Sequence, residues 1–223
     1  MPASSVALSG GDYTDPLTAM NDVSTWCGTP SATNPCLLKI MPAVYDIGTN
    51  SLQMQSYVDI EGSGENTTKI KGNVFGLSGV VYGGNNAEIR FLTVENTGGG
   101  DFAIAIYNNS SSPTMTNVTA TASGGTNNIG VINNVSASPT MTNVTATASG
   151  GTNNYGVYNG VSGTVVRIDQ SVIRGTTTIR NGPGVTTYVG STRLDGGTVY
   201  NEGTLTCAGV YDENYVFYAN TCP

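Results

Sequence analysis

Four residues carry the densest chemical potential in this sequence: Asp59, Glu61, Arg90 and Glu95, with Arg167 and Asp169 a smaller second grouping. Two carboxylates held a few ångströms apart can work as general acid and base on a glycosidic bond. Clustered carboxylates can also hold calcium beside an arginine that takes a proton. Other routes are closed. There is no histidine, and no charged residue lies between Asp101 and Arg167. No cofactor is expected, and calcium enters only if the carboxylates act catalytically.

The elements that would position these residues follow from a duplication. Residues 112–128, Ser-Pro-Thr-Met-Thr-Asn-Val-Thr-Ala-Thr-Ala-Ser-Gly-Gly-Thr-Asn-Asn, recur unchanged at 138–154, an offset of 26. A fixed period of this size is the signature of stacked coils. Short alternating runs broken by Gly, Asn and Ser read as strands. Three inward columns can be followed. The first is Val81, Ile106, Val131, Val157, Ile179 and Val199, usually with an Asn two residues later (Asn108, Asn133, Asn159, Asn181, Asn201; Gly83 in the first copy). The second is Val58, Ile89, Met115, Met141, Ile168 and Val189. The third is Ile70, Val94, Ala120, Ala146, Ile173 and Leu194. Between the second and third lies a turn position, Phe91, Asn117, Asn143, Gln170 and Ser191, expected to form an inner amide ladder. The fold class is therefore all-β, a parallel solenoid with three strands per coil. In this alignment Asp59 falls beside Arg90 and Lys71 beside Glu95, as surface ion pairs worth little each. Carboxylates neutralised in this way make the chain a poor enzyme.

The ends look different. In residues 14–26, Leu17, Met20 and Val23 recur at helical spacing, and Asp15-Pro16 is a good helix start. A short helix there would cover the open end of the stack. Cys27 with Cys36 and Cys207 with Cys222 are the simplest of three connectivities, read as disulfides in an oxidising, extracellular or cell-surface setting. Zinc is disfavoured without histidine or Cys-x-x-Cys. Residues 1–37 are thus expected to be an N-terminal cap with helix and Cys27/Cys36 loop, 38–205 the coils, and 206–223 a C-terminal cap with Cys207/Cys222. The opening Met-Pro-Ala-Ser-Ser has no signal-peptide pattern. The net charge of −7 disfavours nucleic acid, and no apolar run reaches membrane-span length.

Segments 38–45 (Leu-Lys-Ile-Met-Pro-Ala-Val-Tyr), 57–72 and 87–96, together with the repeats, resemble the right-handed parallel β-helix of the pectin-lyase-like superfamily over residues 37–205. The central repeats resemble those of bacterial β-helix repeat proteins with no assigned activity. The superfamily includes pectate lyases, pectinesterases and polygalacturonases as well as phage tailspikes and adhesins, so the resemblance implies fold more than activity. The enzymes' Gly-His-Gly, Asp-Asp and Arg-x-Lys patterns are absent.

If the first column points inward, the next residue points out. That row reads Tyr82, Tyr107, Ile132, Tyr158, Arg180, Tyr200, with Val80, Ala105, Gly130 and Gly156 expected as a small outward strip beside it. In the superfamily, polysaccharide usually lies on the outer face of the strand preceding the second column, which is the same place. Tyr82, Tyr107, Tyr158 and Tyr200 are therefore candidate glycan contacts. They could equally stack on one another or form a homo-oligomer interface. Thr rows (Thr114, Thr116, Thr119, Thr121 over Thr140, Thr142, Thr145, Thr147) suit exposed strands. Asn-x-Ser/Thr sequons at Asn66, Asn108, Asn109, Asn117, Asn134 and Asn143 follow from composition. Gly98-Gly99-Gly100 reads as a coil turn, since it lacks a phosphate loop's Lys-Ser/Thr ending.

Overall fold

A computed structural model describes residues 1–223. The chain winds into a right-handed parallel β-helix of about seven turns. Its strands form one 7-stranded and one 15-stranded sheet around a single apolar core. The 7-stranded sheet is the first column. Leu52, Val81, Ile106, Val131, Val157, Ile179 and Val199 are successive Cα partners across it. The third column is also continuous, from Tyr45 and Ile70 to Leu194.

The second column needs one correction. Ile60, not Val58, lies over Ile89. Both residues are fully buried on the same side of strand Val58–Glu61. Alternation cannot distinguish two inward residues of one strand; the preceding turn sets the register. The shift also moves the outward partners, placing Glu61 opposite Arg90.

The second and third columns share the 15-stranded sheet because in three central coils they are one bent strand: Glu88–Asn96, Thr114–Ala122 and Thr140–Ala148. The bend is the foreseen turn position. Phe91, Asn117, Asn143, Gln170 and Ser191 have φ of 57°, 53°, 53°, 52° and 47°. The left-handed region is costly for L-residues and is best tolerated by Asn after Gly. The amides here lie outside, not inside as expected: Asn143 is exposed and its Nδ2 donates to Asn117 Oδ1. A left-handed residue at a corner turns its side chain away from the core.

The buried ladder runs instead through the asparagines after the first column. Asn108 Nδ2 donates to Asn133 Oδ1 at 2.8 Å, and Asn133 Nδ2 to Asn159 Oδ1 at 2.8 Å. Asn159 Nδ2 donates to Thr187 Oγ1 at 2.9 Å, Thr187 Oγ1 to Asn181 Oδ1 at 2.7 Å, and Asn181 Nδ2 to Asn201 Oδ1 at 2.8 Å. Five coils are joined by polar groups that satisfy one another along the ladder, as a dry core requires, with Asn108 Oδ1 left unpartnered at one end and Asn201 reaching the surface at the other.

At the N-terminus Asp15 caps helix Pro16–Asn21 by accepting the Thr18 N–H at 2.8 Å. A single further turn spans Val23–Trp26. Ala19, Met20 and Val23 are buried against the first coil. Strand Ala3–Val6 stacks parallel on Cys36–Ile40, a pairing not anticipated in the cap. Disulfides join Cys27 to Cys36 and Cys207 to Cys222. Cys207 lies in Thr204–Ala208, a strand stacked on Thr186–Gly190, so coil structure continues past residue 205. The terminal segment then pairs Phe217–Tyr218 antiparallel with Val210–Tyr211.

Candidate functional site

The acidic candidates do not converge on one site. Arg90 is the centre of an ion-pair cluster: its Nη2 lies 2.8 Å from Glu61 Oε2, its Nη1 3.7 Å from Asp59 Oδ2, and it also pairs with Glu88. Asp59 Oδ1 accepts the Glu88 N–H at 2.8 Å, and Lys39 Nζ lies 3.5 Å from Glu61. Glu95 lies beyond the bend at Phe91. Lys71 is its Cα partner as aligned, but its ion pair is to Lys69. Arg167 is stacked over Tyr188, 5.5 Å from the ring centroid.

The electrostatics oppose acid catalysis at this cluster. Hydrogen bonding to Arg90, then the charges of Arg90 and Lys39, hold the Glu61 carboxyl below its ordinary range despite burial. Burial works against the Arg90 charge, but bonds to Glu61 and Glu88 outweigh it and raise its pKa. A general acid at neutral pH needs a raised carboxyl pKa, and Glu61 moves the other way. No group of three or more His, Cys, Asp or Glu is arranged to hold a metal ion.

A stability prediction follows. Glu61's folded pKa is lowered, so its contribution is complete above the ordinary value of 4.5 and fades as pH falls through the lowered value. Arg90→Met should cost about 1–3 kcal/mol at pH 7, because three carboxylates lose their cation. The penalty should shrink towards pH 3 as the Glu61 carboxylate, left without Arg90 in the variant, protonates. Urea unfolding at the two pH values measures both.

The aromatic face is more coherent, and one part of it is reassigned. The row Tyr82, Tyr107, Ile132, Tyr158, Arg180, Tyr200 is aligned as expected on the outside of the 7-stranded sheet. The small strip is not outside. Val80 and Ala105 are fully buried in the core, a Cβ on Gly130 would meet Gly156 O at 2.7 Å, and one on Gly156 would meet the buried Ile173 side chain at 2.5 Å. The strand twists there so that two consecutive residues, such as Ala105 and Ile106, both face inward. The outward partner of each row member is therefore three residues earlier: Ile104, Ile129 and Tyr155. The recurrent spacing of Ile104/Tyr107, Ile129/Ile132 and Tyr155/Tyr158 is visible in the sequence, but strict alternation hides it.

Ile104, Tyr107, Ile129 and Ile132 form a second apolar cluster outside the coil, overlaid by Tyr82, Phe102, Tyr155 and Tyr158. Tyr107 is only 6 % exposed. Tyr82 packs edge-on to it with centroids 5.0 Å apart, and Tyr155 packs edge-on to Tyr158 at 5.3 Å. The Arg180 guanidinium lies between Tyr158 and Tyr200, 5.3 and 4.9 Å from the ring centroids, and 3.6 Å from Glu202. Part of the stripe thus stacks on itself; Tyr200, at 46 % exposure, remains open. Beside it a shallow cleft of about 350 Å³ is lined by Phe102, Ile129, Ile132, Asn134, Tyr155, Tyr158 and Arg180, among others.

No protein-family model matches the sequence, and no curated protein sequence matches it. Solved structures do match. A pectin methylesterase from carrot is 15 % identical, with 95 % of this chain and 82 % of that chain covered and a TM-score of 0.60. PemA, a pectin methylesterase from Erwinia chrysanthemi, is 12 % identical, covering 97 % and 84 %, with a TM-score of 0.53. ORF18 of Geobacillus virus E2 is 11 % identical, covering 94 % and 61 %, with a TM-score of 0.54. Two further matched pectin methylesterase structures are complexes with hexasaccharides. At these identities the matches speak to architecture, and they agree with the observed coil: this chain has the pectin-lyase-like right-handed parallel β-helix fold.

Proposed function

We propose that this protein is a non-catalytic recognition β-helix that contacts a glycan along the outer face of its 7-stranded sheet. The carrying observation is the contiguous aromatic and apolar cluster there, on a surface where isolated strands would be polar. Its floor is buried, but the rings of Tyr82, Phe102, Tyr155 and Tyr158 over it are half-buried at the surface, and apolar surface of this kind marks binding sites. Tyrosine rings offer flat apolar faces for sugar rings with a hydroxyl at the edge. The hexasaccharide complexes of pectin methylesterases sharing the fold support a saccharide as ligand. Two disulfides support an extracellular or cell-surface setting, and no helix is long and apolar enough to cross a membrane.

Tyr158→Ala combined with Tyr200→Ala should weaken binding about tenfold or more. Affinity electrophoresis through gels containing different polysaccharides reads this out. No retardation of the native protein by any polysaccharide would defeat the proposal. Light scattering checks the competing use of the same face: a dimer or trimer that dissociates in the double variant would make it a subunit interface. The enzyme reading, with Asp59, Glu61, Arg90 and Glu95 as catalytic groups, is disfavoured because Asp59 and Glu61 are neutralised on Arg90, Glu61 is held below its ordinary pKa, and Glu95 is paired apart with Lys69.

A further inference from the structure

We infer that the cleft beside Tyr155 and Tyr158 is a subsite for one ring of a neutral, hydroxyl-rich hexose oligosaccharide, not for a uronate. The inference rests on the glycan reading of the aromatic face and names the sugar class. Its origin is a difference between coils. Where the other coils carry Tyr82, Tyr107 and Tyr158, one carries Ile132, and Ile129 stands where the following coil has Tyr155. The two shorter side chains leave a recess at that coil. Ile129 and Ile132, 2 % and 4 % exposed, form its apolar floor. Phe102, Tyr155 and Tyr158 rise around it.

The polar groups in the recess decide the ligand. Asn134 Oδ1 and Arg180 Nε are both buried and have no hydrogen-bond partner, and both residues line the cleft. Asn127, the other amide there, is already engaged: its Nδ2 donates to Asp101 O and its Oδ1 accepts from Asn153. The unpartnered Asn134 Oδ1 is an acceptor; a sugar hydroxyl can donate to it, whereas a carboxylate only accepts. The single cation of the cleft is already held by Glu202 and by two tyrosine faces. Its charge is therefore already compensated, and its Nε lies buried behind the rings and is not offered to a carboxylate. With a net charge of −7 the whole chain also repels a polyanion. An apolar floor, aromatic walls and a few fixed polar groups are what a pocket selecting a neutral sugar needs.

The test uses the full chain and two probe sets of equal length: neutral gluco-, manno- and galacto-hexasaccharides, and hexagalacturonate, each titrated by calorimetry. Binding of at least one neutral probe, with hexagalacturonate weaker by about tenfold or more, is expected. Tyr155→Ala should then weaken it about tenfold, and Asn134→Leu about fivefold, with unchanged melting temperature. Asn134→Leu keeps the branched side-chain skeleton at a half-buried position, so it serves if Tyr155→Ala misfolds. Tighter binding of hexagalacturonate, lost in the Tyr158/Tyr200 double variant, would overturn this inference and leave the glycan reading standing. Neutral-sugar binding indifferent to both cleft substitutions would overturn the location. No binding of any probe would sink both.

Discussion

Asn133→Leu should be among the most destabilising single substitutions in this protein. Asn133 is fully buried and sits inside the interior ladder, accepting from Asn108 and donating to Asn159. Leucine keeps the branched side-chain skeleton and is larger, so no cavity is made and crowding in the buried site adds to the loss. It leaves the Asn108 amide N–H and the Asn159 carbonyl oxygen in a dry core with nothing in place of the lost partner. Each orphaned group costs about 1–3 kcal/mol, so a loss of about 2–5 kcal/mol is expected. That is a large part of the stability of an ordinary domain, about 5–15 kcal/mol. Asn153→Ala is the matching control. It also breaks an amide-to-amide bond between coils, to Asn127, but at an exposed position. Water replaces the partner there, and the change should stay within about 0.5 kcal/mol. Urea midpoints of the two variants separate a buried ladder from a surface one. Equal midpoints would mean that the interior amides contribute no more than surface ones.

Gly130→Val should be comparably damaging for a steric reason. A Cβ at Gly130 would lie 2.7 Å from Gly156 O, 3.0 Å from Thr147 N and 3.2 Å from Ala146 C. All three are backbone atoms, Gly156 O in the strand stacked on that of Gly130, and Thr147 N and Ala146 C in strand Thr140–Ala148 of the other sheet. They cannot move aside without breaking the ladder spacing of about 4.8 Å. The equivalent positions in preceding coils are Ala105 and Val80, both buried, so the coil admits side chains there nearer the N-terminus and none at Gly130. Alanine should cost about 1–3 kcal/mol and valine more, with loss of soluble protein. Gly150→Ala is the contrasting case. Its Cβ would meet nothing within 4 Å, and its φ of 85° brings only backbone strain, about 1–2 kcal/mol.

These two residues show where reading the sequence succeeded and where it stopped. The asparagines after the first column are visible as a recurrent position, but the sequence equally suggests an inner amide ladder at Asn117 and Asn143, and the buried one is the former. Both sets repeat with the same period, and period alone does not say which side of the backbone a side chain occupies. A left-handed φ at the corner sends one set out, while the core-facing strand end takes the other in. Gly130 and Gly156 were assigned outward by alternation. The local backbone puts two consecutive residues inside, which reverses that strip; the places where the two repeats diverge, Ile129 against Tyr155 and Ile132 against Tyr158, are legible beside the stripe, but alternation does not show that Ile104, Ile129 and Tyr155 share its outer face. Ile60 displaced Val58 in the second column for the related reason that both point inward.

The acidic candidates failed differently. Asp59, Glu61 and Arg90 do meet, but Glu88 and Lys39 join them, and Glu95 is drawn to Lys69 on the far side of the bend. Long charged side chains choose partners diagonally across strands, which a column alignment cannot rank.

The sequence by itself determined the stack, its period, the six-member first and third columns, the turn positions, the capping helix and the cysteine pairs. Each is encoded by residues repeating at fixed spacing or by a local signal such as Asp15-Pro16, so no long-range information is needed. Only the tertiary structure decided which repeated polar row is buried, which charges pair, and that two isoleucines open a recess in the aromatic face. Those outcomes depend on the twist of each strand and the separation of neighbouring coils, quantities set by packing across the whole solenoid and carried by no single repeat.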